Sequence, residues 1–301
     1  VIAAITGSTG FVGKHLSVYL SLRGINVLNL TRDDLSKPDI VLPSADTVIH
    51  LAGLAHDLGE VARECQYFKV NYELTKRIYD AFLNSDAKTF IFVSSIKAVA
   101  ESSSVVLTEE AESHPVTPYG LSKRAAEKYI QSALSHERKR FYILRPCMIH
   151  GPGAKGNLNI LYKFIARGYP YPFGAFENPR SFLSIENLCF VAHELLSGEV
   201  AAGVYNIADD ESLLTSTVVE MIGEVAGICP RIWRLPLSFV KIATRLGDVF
   251  NLPLDSTSVG KLTERNEVSN ARIKEALGKN LPVEARAGLR RTLEWFRTAS
   301  L

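Results

Sequence analysis

Thr6-Gly7-Ser8-Thr9-Gly10-Phe11-Val12-Gly13 closes an apolar run, Val1–Thr6, and opens a helix-like segment, Phe11–Leu22. The three glycines have separate tasks. Gly7 allows a tight turn, Gly10 a close approach of backbone to a pyrophosphate, and Gly13 close packing of helix on strand. Thr9, Phe11 and Val12 complete the loop, whose free amides at a helix N-terminus meet negative charge. A glycine triplet by itself fits a plain structural turn too. Here it lies near the start of the sequence, with a strand before it and an amphipathic helix after it, which points to dinucleotide binding.

Working outward, Asn26–Leu30, Thr47–Leu51, Phe90–Ser94 and Phe141–Leu144 read as further buried strands rich in Val, Ile, Leu and Phe. Helix-like segments lie between them at Phe11–Leu22, Val61–Leu83 and Pro118–His136. Alternating strands and helices imply βαβ units and a doubly wound parallel sheet, the Rossmann arrangement. After Arg145 the pattern changes to a stretch crowded with Pro146, Gly151, Pro152, Gly153 and Gly156. This division predicts a dinucleotide-binding domain over 1–150 and a smaller α/β substrate region over 151–301, interleaved with the last strands of the sheet. Leu235, Phe239, Ile242 and Leu246 recur at helical spacing within Leu235–Phe250, which reads as a core-facing helix.

Composition narrows the function. The 301 residues carry a formal net charge of +2, which gives no basic excess for nucleic acid to neutralise. No apolar run reaches the ~18–20 residues of a membrane span. Val1 opens directly into a strand-like stretch without a leader pattern, and the four cysteines form no CxxC pair. These features predict a cytoplasmic protein without disulfides or a metal site.

The end of the second strand bears on the choice of dinucleotide. In Leu30-Thr31-Arg32-Asp33-Asp34, Thr31 stands where an NAD site carries an acid for the ribose, and Arg32 follows. A guanidinium there suits a 2′-phosphate and favours NADP(H); the alternative is a solvated Arg32, with Asp33 or Asp34 on the ribose of NAD(H).

Tyr119 and Lys123 lie four apart, on one face of a helix. A nearby ammonium would stabilise a phenolate and lower the pKa of Tyr119, making it an acid–base group. Tyr72 and Lys76 repeat that spacing. Position separates the two pairs: Tyr119 follows the strand ending at Ser94-Ser95, whose C-terminal edge is where such sheets bind ligands. Tyr72 belongs to the earlier helix and a packing role.

These motifs together resemble the extended short-chain dehydrogenases/reductases, the nucleotide-sugar epimerase/dehydratase group. The matching pieces are Thr6–Gly13, Asp46–Gly53, Asn71, Phe92–Ser95, Tyr119–Lys123, Arg145-Pro146, His150–Gly153, Pro172–Gly174 and Arg180–Leu188. The resemblance implies that Ser95 hydrogen-bonds the reacting oxygen, Tyr119 is the acid–base and Lys123 holds the nicotinamide ribose. It puts Leu51, Ala52, Gly53, Ser94 and Pro146 along the cofactor, with Asn71 as a structural residue beside it. For a UDP-sugar it implies Asn157 or Leu158 amides at the pyrophosphate, Phe173 against uracil and Arg180 on phosphate or ribose. Lys97 and Lys155 are weaker candidates. Phe173 could instead be core, Arg180 could pair with Glu186, and His56 and His150 read as packed histidines.

Dehydratases of this group place an Asp-Glu pair after the catalytic hydroxyl, whereas Ile96 and Lys97 follow Ser95 here. That leaves NADPH-dependent reduction or NAD-dependent 4-epimerisation. Arg32 favours reduction. So does the similarity of Ser94–Lys97 with Glu101, of Gly151–Leu158, and of Asp209–Glu211 with Thr215–Thr217 to bacterial reductases of UDP-4-keto-6-deoxy-HexNAc in surface-polysaccharide synthesis. A non-catalytic NADP-binding regulator is the third class; Ser95, Tyr119 and Lys123 all being present argues against it. A homodimer through the helices 61–83 and 118–136 is also implied by the resemblance.

Overall fold

The computed structural model describes residues 1–54, 64–133, 139–197, 199–235 and 265–299. His56, residues 61–63 and 134–136 of two expected helices, and all but Leu235 of the expected 235–250 helix lie outside them. Strands β1 (Ile2–Thr6), β2 (Asn26–Leu30), β3 (Thr47–His50), β4 (Thr89–Val93), β5 (Arg140–Pro146) and β8 (Gly203–Ile207) form a parallel sheet of order β2-β1-β3-β4-β5-β8. A smaller sheet joins β6 (Met148–His150), β7 (Pro179–Ser184) and β9 (Ser212–Leu214). The sixth strand of the large sheet thus comes from the second half of the chain.

Alternation along the strands makes the two faces. Ala3, Ile5, Ile91 and Leu144 pack with Leu16 and Leu20 of α1 (Phe11–Ser21) and with Leu188 and Val191 of α7 (Ile185–Glu194). Ala4, Phe90, Phe92 and Ile143 face the other way, onto Ile78, Tyr79 and Phe82 of α4 (Leu74–Leu83) and Ala126 and Ile130 of α5 (Pro118–Ser132). A period of two on strands buried on both faces is why these runs read as continuously apolar.

The expected single helix up to Leu83 is interrupted. A short helix α3 (Glu64–Tyr67) passes into a π-helical stretch, Phe68–Glu73, before α4 resumes. Neither Gly nor Pro marks the change in sequence. The wider turn carries Asn71, fully buried, inward to the site, and such interruptions recur at functional positions.

Strand order reverses between β1 and β3, which opens a crevice at their C-terminal ends. His50 closes its floor. Its Nδ1 lies 2.7 Å from the Thr6 hydroxyl and its Nε2 2.8 Å from Thr75 Oγ1. Thr75 donates to the Asn71 carbonyl, so His50 Nε2 carries the proton and Nδ1 accepts from Thr6. Thr6 Oγ1 in turn accepts from the Leu51 and Ala52 amides. Burial drives the His50 pKa down to about 3, from an ordinary 6.5. The unfolded chain therefore takes up this proton near pH 6.5, whereas the folded protein refuses it down to about pH 3. Stability is present above that window and falls with pH through it, by up to about 1.4 kcal/mol per pH unit. Urea unfolding between pH 7 and 5 should show this slope, and a His50→Gln variant should show a shallower one.

Candidate active site

The glycine loop is a tight cradle. Gly7 takes φ +72°, and a Cβ on it would stand 2.7 Å from the Ala52 amide nitrogen. A Cβ on Gly13 would run into the Gly7 carbonyl, so helix and loop touch backbone to backbone. Gly10 is exposed and caps α1 with no side chain, and no acid sits in the first turn. Thr9 is exposed beside it, Val12 packs on the core, and the Phe11 ring is edge-on to His15. His15 reaches the Pro152 carbonyl at 2.9 Å, which docks α1 on the second half. Uncapped amides behind a glycine turn fit the phosphates of a dinucleotide.

Asn71 then ties the Leu51-Ala52-Gly53 turn to α5. Its side chain holds both Leu54 N, at 2.8 Å, and Leu54 O, at 3.1 Å. It also donates to Ser122 Oγ, which donates to the Tyr119 carbonyl. A Cβ on Gly53 would lie 3.0 Å from Asn71 Oδ1 and 3.3 Å from Lys123 Nζ, so the turn passes directly over that lysine.

Thr117 caps α5, accepting from the Gly120 amide, and Pro118 occupies the first helical position. Helix α5 thereby places Tyr119 beside Ser95. Ser95 in turn caps a short 3₁₀ turn, Ile96–Ala98. Tyr67 stands edge-on to Tyr119 at 6.0 Å.

The electrostatics differ from expectation. Burial pushes the Tyr119 phenol up to about 12, against the lowering effect of Ser95, with Glu101 and Tyr67 raising it further. Burial likewise brings Lys123 down to about 8, partly countered by Glu127. The ammonium donates to the Val93 carbonyl at 3.0 Å and lies over the Phe92 ring. It therefore spends its charge on the end of β4, and the expected lowering of the Tyr119 pKa is not met in this structure.

A residue missed in the sequence sits just below. Glu127, fully buried, accepts from Arg145 Nε at 3.0 Å and Nη2 at 2.7 Å, and from Arg124 at 3.1 Å. The Ser94 hydroxyl donates to it at 2.6 Å. Ser94, expected along the cofactor, thus turns its side chain into this network. The sequence signal was available: Glu127 shares the buried face of α5 with Lys123, Ala126 and Ile130.

A model of the "NAD dependent epimerase/dehydratase family" matches residues 3–208. The chain belongs to that family. A UDP-glucose 4-epimerase of Vibrio cholerae is 30% identical to it, covering 98% of this chain and 95% of its own. A GDP-6-deoxy-D-mannose reductase of Pseudomonas aeruginosa is 28% identical, over 74% of this chain and 80% of its own. The solved structure of RMD from Pseudomonas aeruginosa complexed with NADPH superposes with a TM-score of 0.77 at 24% identity, covering 99% of both chains.

Within this epimerase/dehydratase-family enzyme the remaining expected residues are spread more widely. Arg32 opens α2 (Arg32–Ser36), exposed and without an ion pair among the described residues. Asp34 is committed elsewhere, accepting from the Thr31 amide at 3.0 Å and hydroxyl at 2.7 Å and pairing with Lys37. Those bonds hold its carboxyl down at about 2. Asn157 opens α6 (Asn157–Ala166) at the surface, with Leu158 buried behind it. Phe173 is 3% exposed, its ring edge-on to Tyr171 and Phe176, so packing takes up the face expected against a base. Arg180 is half-buried on β7 near the Tyr171 phenol. The Glu186 carboxylate pairs with Arg291 at 2.8 Å. Pro146 is buried at the end of β5, and Lys155 is exposed. Ile96 is buried, and Lys97 pairs with Glu101 at 2.9 Å. His150 is packed against Thr292 and Asp209. Asp209 accepts from the Ser184 amide and from Asn187, while Asp210 and Glu211 pair with Lys274 and Arg286. Among the described residues no helix is long and apolar enough to cross a membrane.

Proposed function

We propose that this protein reduces the C4 keto group of a UDP-4-keto-6-deoxy-N-acetylhexosamine with NADPH, in the synthesis of a polysaccharide precursor. The observation carrying the choice of reduction is the end of β2. Arg32 stands exposed with no described ion-pair partner, while of the two acids that could take an NAD ribose Asp34 is locked into the cap of α2 and Asp33 is exposed beside Arg32. Arg32 would grip the 2′-phosphate of NADPH, the uncapped α1 amides its pyrophosphate, and Lys123 its nicotinamide ribose.

When bound, NADPH supplies the hydride for the sugar carbon. Ser95 hydrogen-bonds the keto oxygen, and Tyr119 donates a proton to it as negative charge builds there. A phenol held near 12 in this structure is firmly protonated at neutral pH, which suits a proton donor. Ile96, buried, and Lys97, paired with Glu101, supply no free carboxylate directly after Ser95 for a 4,6-elimination. The Pseudomonas GDP-6-deoxy-D-mannose reductase, a sugar-nucleotide reductase, supports this reading.

The Vibrio relative, similar over nearly the whole chain, favours a second reading, an NAD-dependent UDP-sugar 4-epimerase. Denaturing the purified protein and identifying any released dinucleotide separates the two. Retained NAD with turnover of UDP-glucose or UDP-GlcNAc, and no added cofactor, would replace reduction by epimerisation. Consumption of NADPH by UDP-4-keto-6-deoxy-GlcNAc is the outcome expected. UDP-GlcNAc should not yield a product lighter by one water. A homodimer through α4 and α5 is part of the same proposal, to be read by analytical ultracentrifugation.

Arg32→Ala should weaken NADPH binding by the ~1.5–3 kcal/mol of a charge-assisted contact and leave NADH nearly unchanged. Equal effects on both cofactors, measured by fluorescence titration, would remove Arg32 from the 2′-phosphate.

A further inference from the structure

Glu101 lies beyond the Lys97 turn, its side chain mostly buried and its carboxylate divided between two partners. One oxygen accepts from the Thr117 hydroxyl, and the other pairs with Lys97 Nζ at 2.9 Å. Each partner is next to a reacting group. Thr117 caps α5 at Gly120, just two residues before Tyr119, and the Lys97 amide donates to Ser95 Oγ at 3.2 Å. Tyr119 stands beside Ser95. Hydrogen bonds, an ion pair and the chain from Thr117 to Tyr119 thus link Ser95, Lys97, Glu101, Thr117 and Tyr119.

This linkage is anchored from outside. The Glu101 carbonyl accepts from Asn266 at 3.2 Å, and the Asn266 amide donates to the Pro179 carbonyl on β7. Gly120 packs so closely on the Lys97 carbonyl that a Cβ there would clash with it. The start of α5 is therefore seated on the turn that carries Ser95.

We infer that Glu101 is a positioning residue of this site, holding the cap of α5 so that Tyr119 meets Ser95 and setting a negative charge beside the phenol. This rests on the reading of Tyr119 as proton donor. Among the described residues, the groups acting on the phenol are the Ser95 hydroxyl from the turn after β4, Tyr67 from α3 and Glu101 from the following loop. Lys123, one turn further along α5, is directed to the Val93 carbonyl, and Lys97 stands behind Glu101. Among the described residues Glu101 is the carboxylate that acts on Tyr119, and it opposes ionisation. Removing its charge also frees the Lys97 ammonium, which works in the same direction.

Two variants separate the cap from the charge. Glu101→Gln keeps an acceptor for Thr117 and loses the charge; Glu101→Ala loses both. With ¹³Cζ-labelled tyrosine, the resonance missing from Tyr119→Phe identifies Tyr119. Its ionisation should begin about half a pH unit or more lower in both Glu101 variants than in the parent protein. Hydrogen exchange at the Gly120 amide should accelerate at least about tenfold in Glu101→Ala and less than about threefold in Glu101→Gln. In turnover with NADPH, Glu101→Ala should lose about tenfold in kcat at unchanged KM, and Glu101→Gln should recover most of that loss. A Tyr119 ionisation unmoved in both variants, or Gly120 exchange unmoved in Glu101→Ala, would overturn the inference. The spectroscopic readings need no substrate. If the nucleotide-sugar reading fails, the parent protein shows no turnover while the resonances still decide the role of Glu101.

Discussion

Tyr119→Phe should lower turnover by about 10²–10⁴-fold, the worth of a positioned general acid. It removes one hydroxyl from a phenol placed beside Ser95, so the loss should fall on kcat while NADPH affinity and fold change little. Tyr72→Phe is the matched control. Tyr72 has the same spacing to a lysine, but its ring stands edge-on to Phe68 and to Tyr129, ten residues beyond Tyr119 on α5. Its kcat should stay within about threefold of the parent enzyme, since no general acid is removed. Stopped-flow reduction with NADPH under saturating sugar nucleotide checks both. Loss of turnover in Tyr72→Phe with Tyr119→Phe unaffected would move the active site to the other helix.

Arg145→Met should cost about 3–5 kcal/mol in unfolding free energy, because it leaves the buried Glu127 carboxylate without its bidentate partner. Arg124 and Ser94 still contact that carboxylate, but Arg124 is partly open to solvent and Ser94 is neutral. A double variant, Arg145→Met with Glu127→Leu, should recover most of the loss, since a well-packed apolar pair can match a buried ion pair. Urea midpoints of parent, single and double variants provide the check. A single variant as stable as the parent would mean that the network carries little of the fold's stability. The pair joins β5 to α5 just below Lys123, so the single variant should also disturb the site.

Much of this molecule is legible before folding. The glycine loop predicts its own cradle: Gly7 is at positive φ and Gly13 meets backbone, as the separate tasks of the glycines require. The apolar runs predict five of the six strands of the large sheet to within a residue or two, because their Val, Ile, Leu and Phe content marks them out; β8, from the second half of the chain, was not singled out. Tyr119 could be told from Tyr72 only by place in the chain, and the structure puts Tyr119, not Tyr72, against Ser95. The π-helical stretch at 68–73 was not legible, since the widening of one turn leaves no residue signature. Phe173 illustrates the opposite failure, for an aromatic in a motif stretch carries no mark that tells a ligand face from a packing face.

The sequence by itself determined the parallel α/β sheet and the glycine turn after β1, because both rest on local spacing; it offered Tyr119 and Lys123 as candidates through their helical spacing and Ser95 through family resemblance. Only the tertiary structure decided how charge is spent around that set. Lys123 turns to the Val93 carbonyl, Asp34 is absorbed by the cap of α2, and Glu127 and Glu101 enter the site's electrostatics. The physical reason is that a pKa answers to burial and to neighbours brought from far along the chain. A helical spacing of four can place a lysine near a tyrosine, but it cannot say which oxygen the ammonium will find.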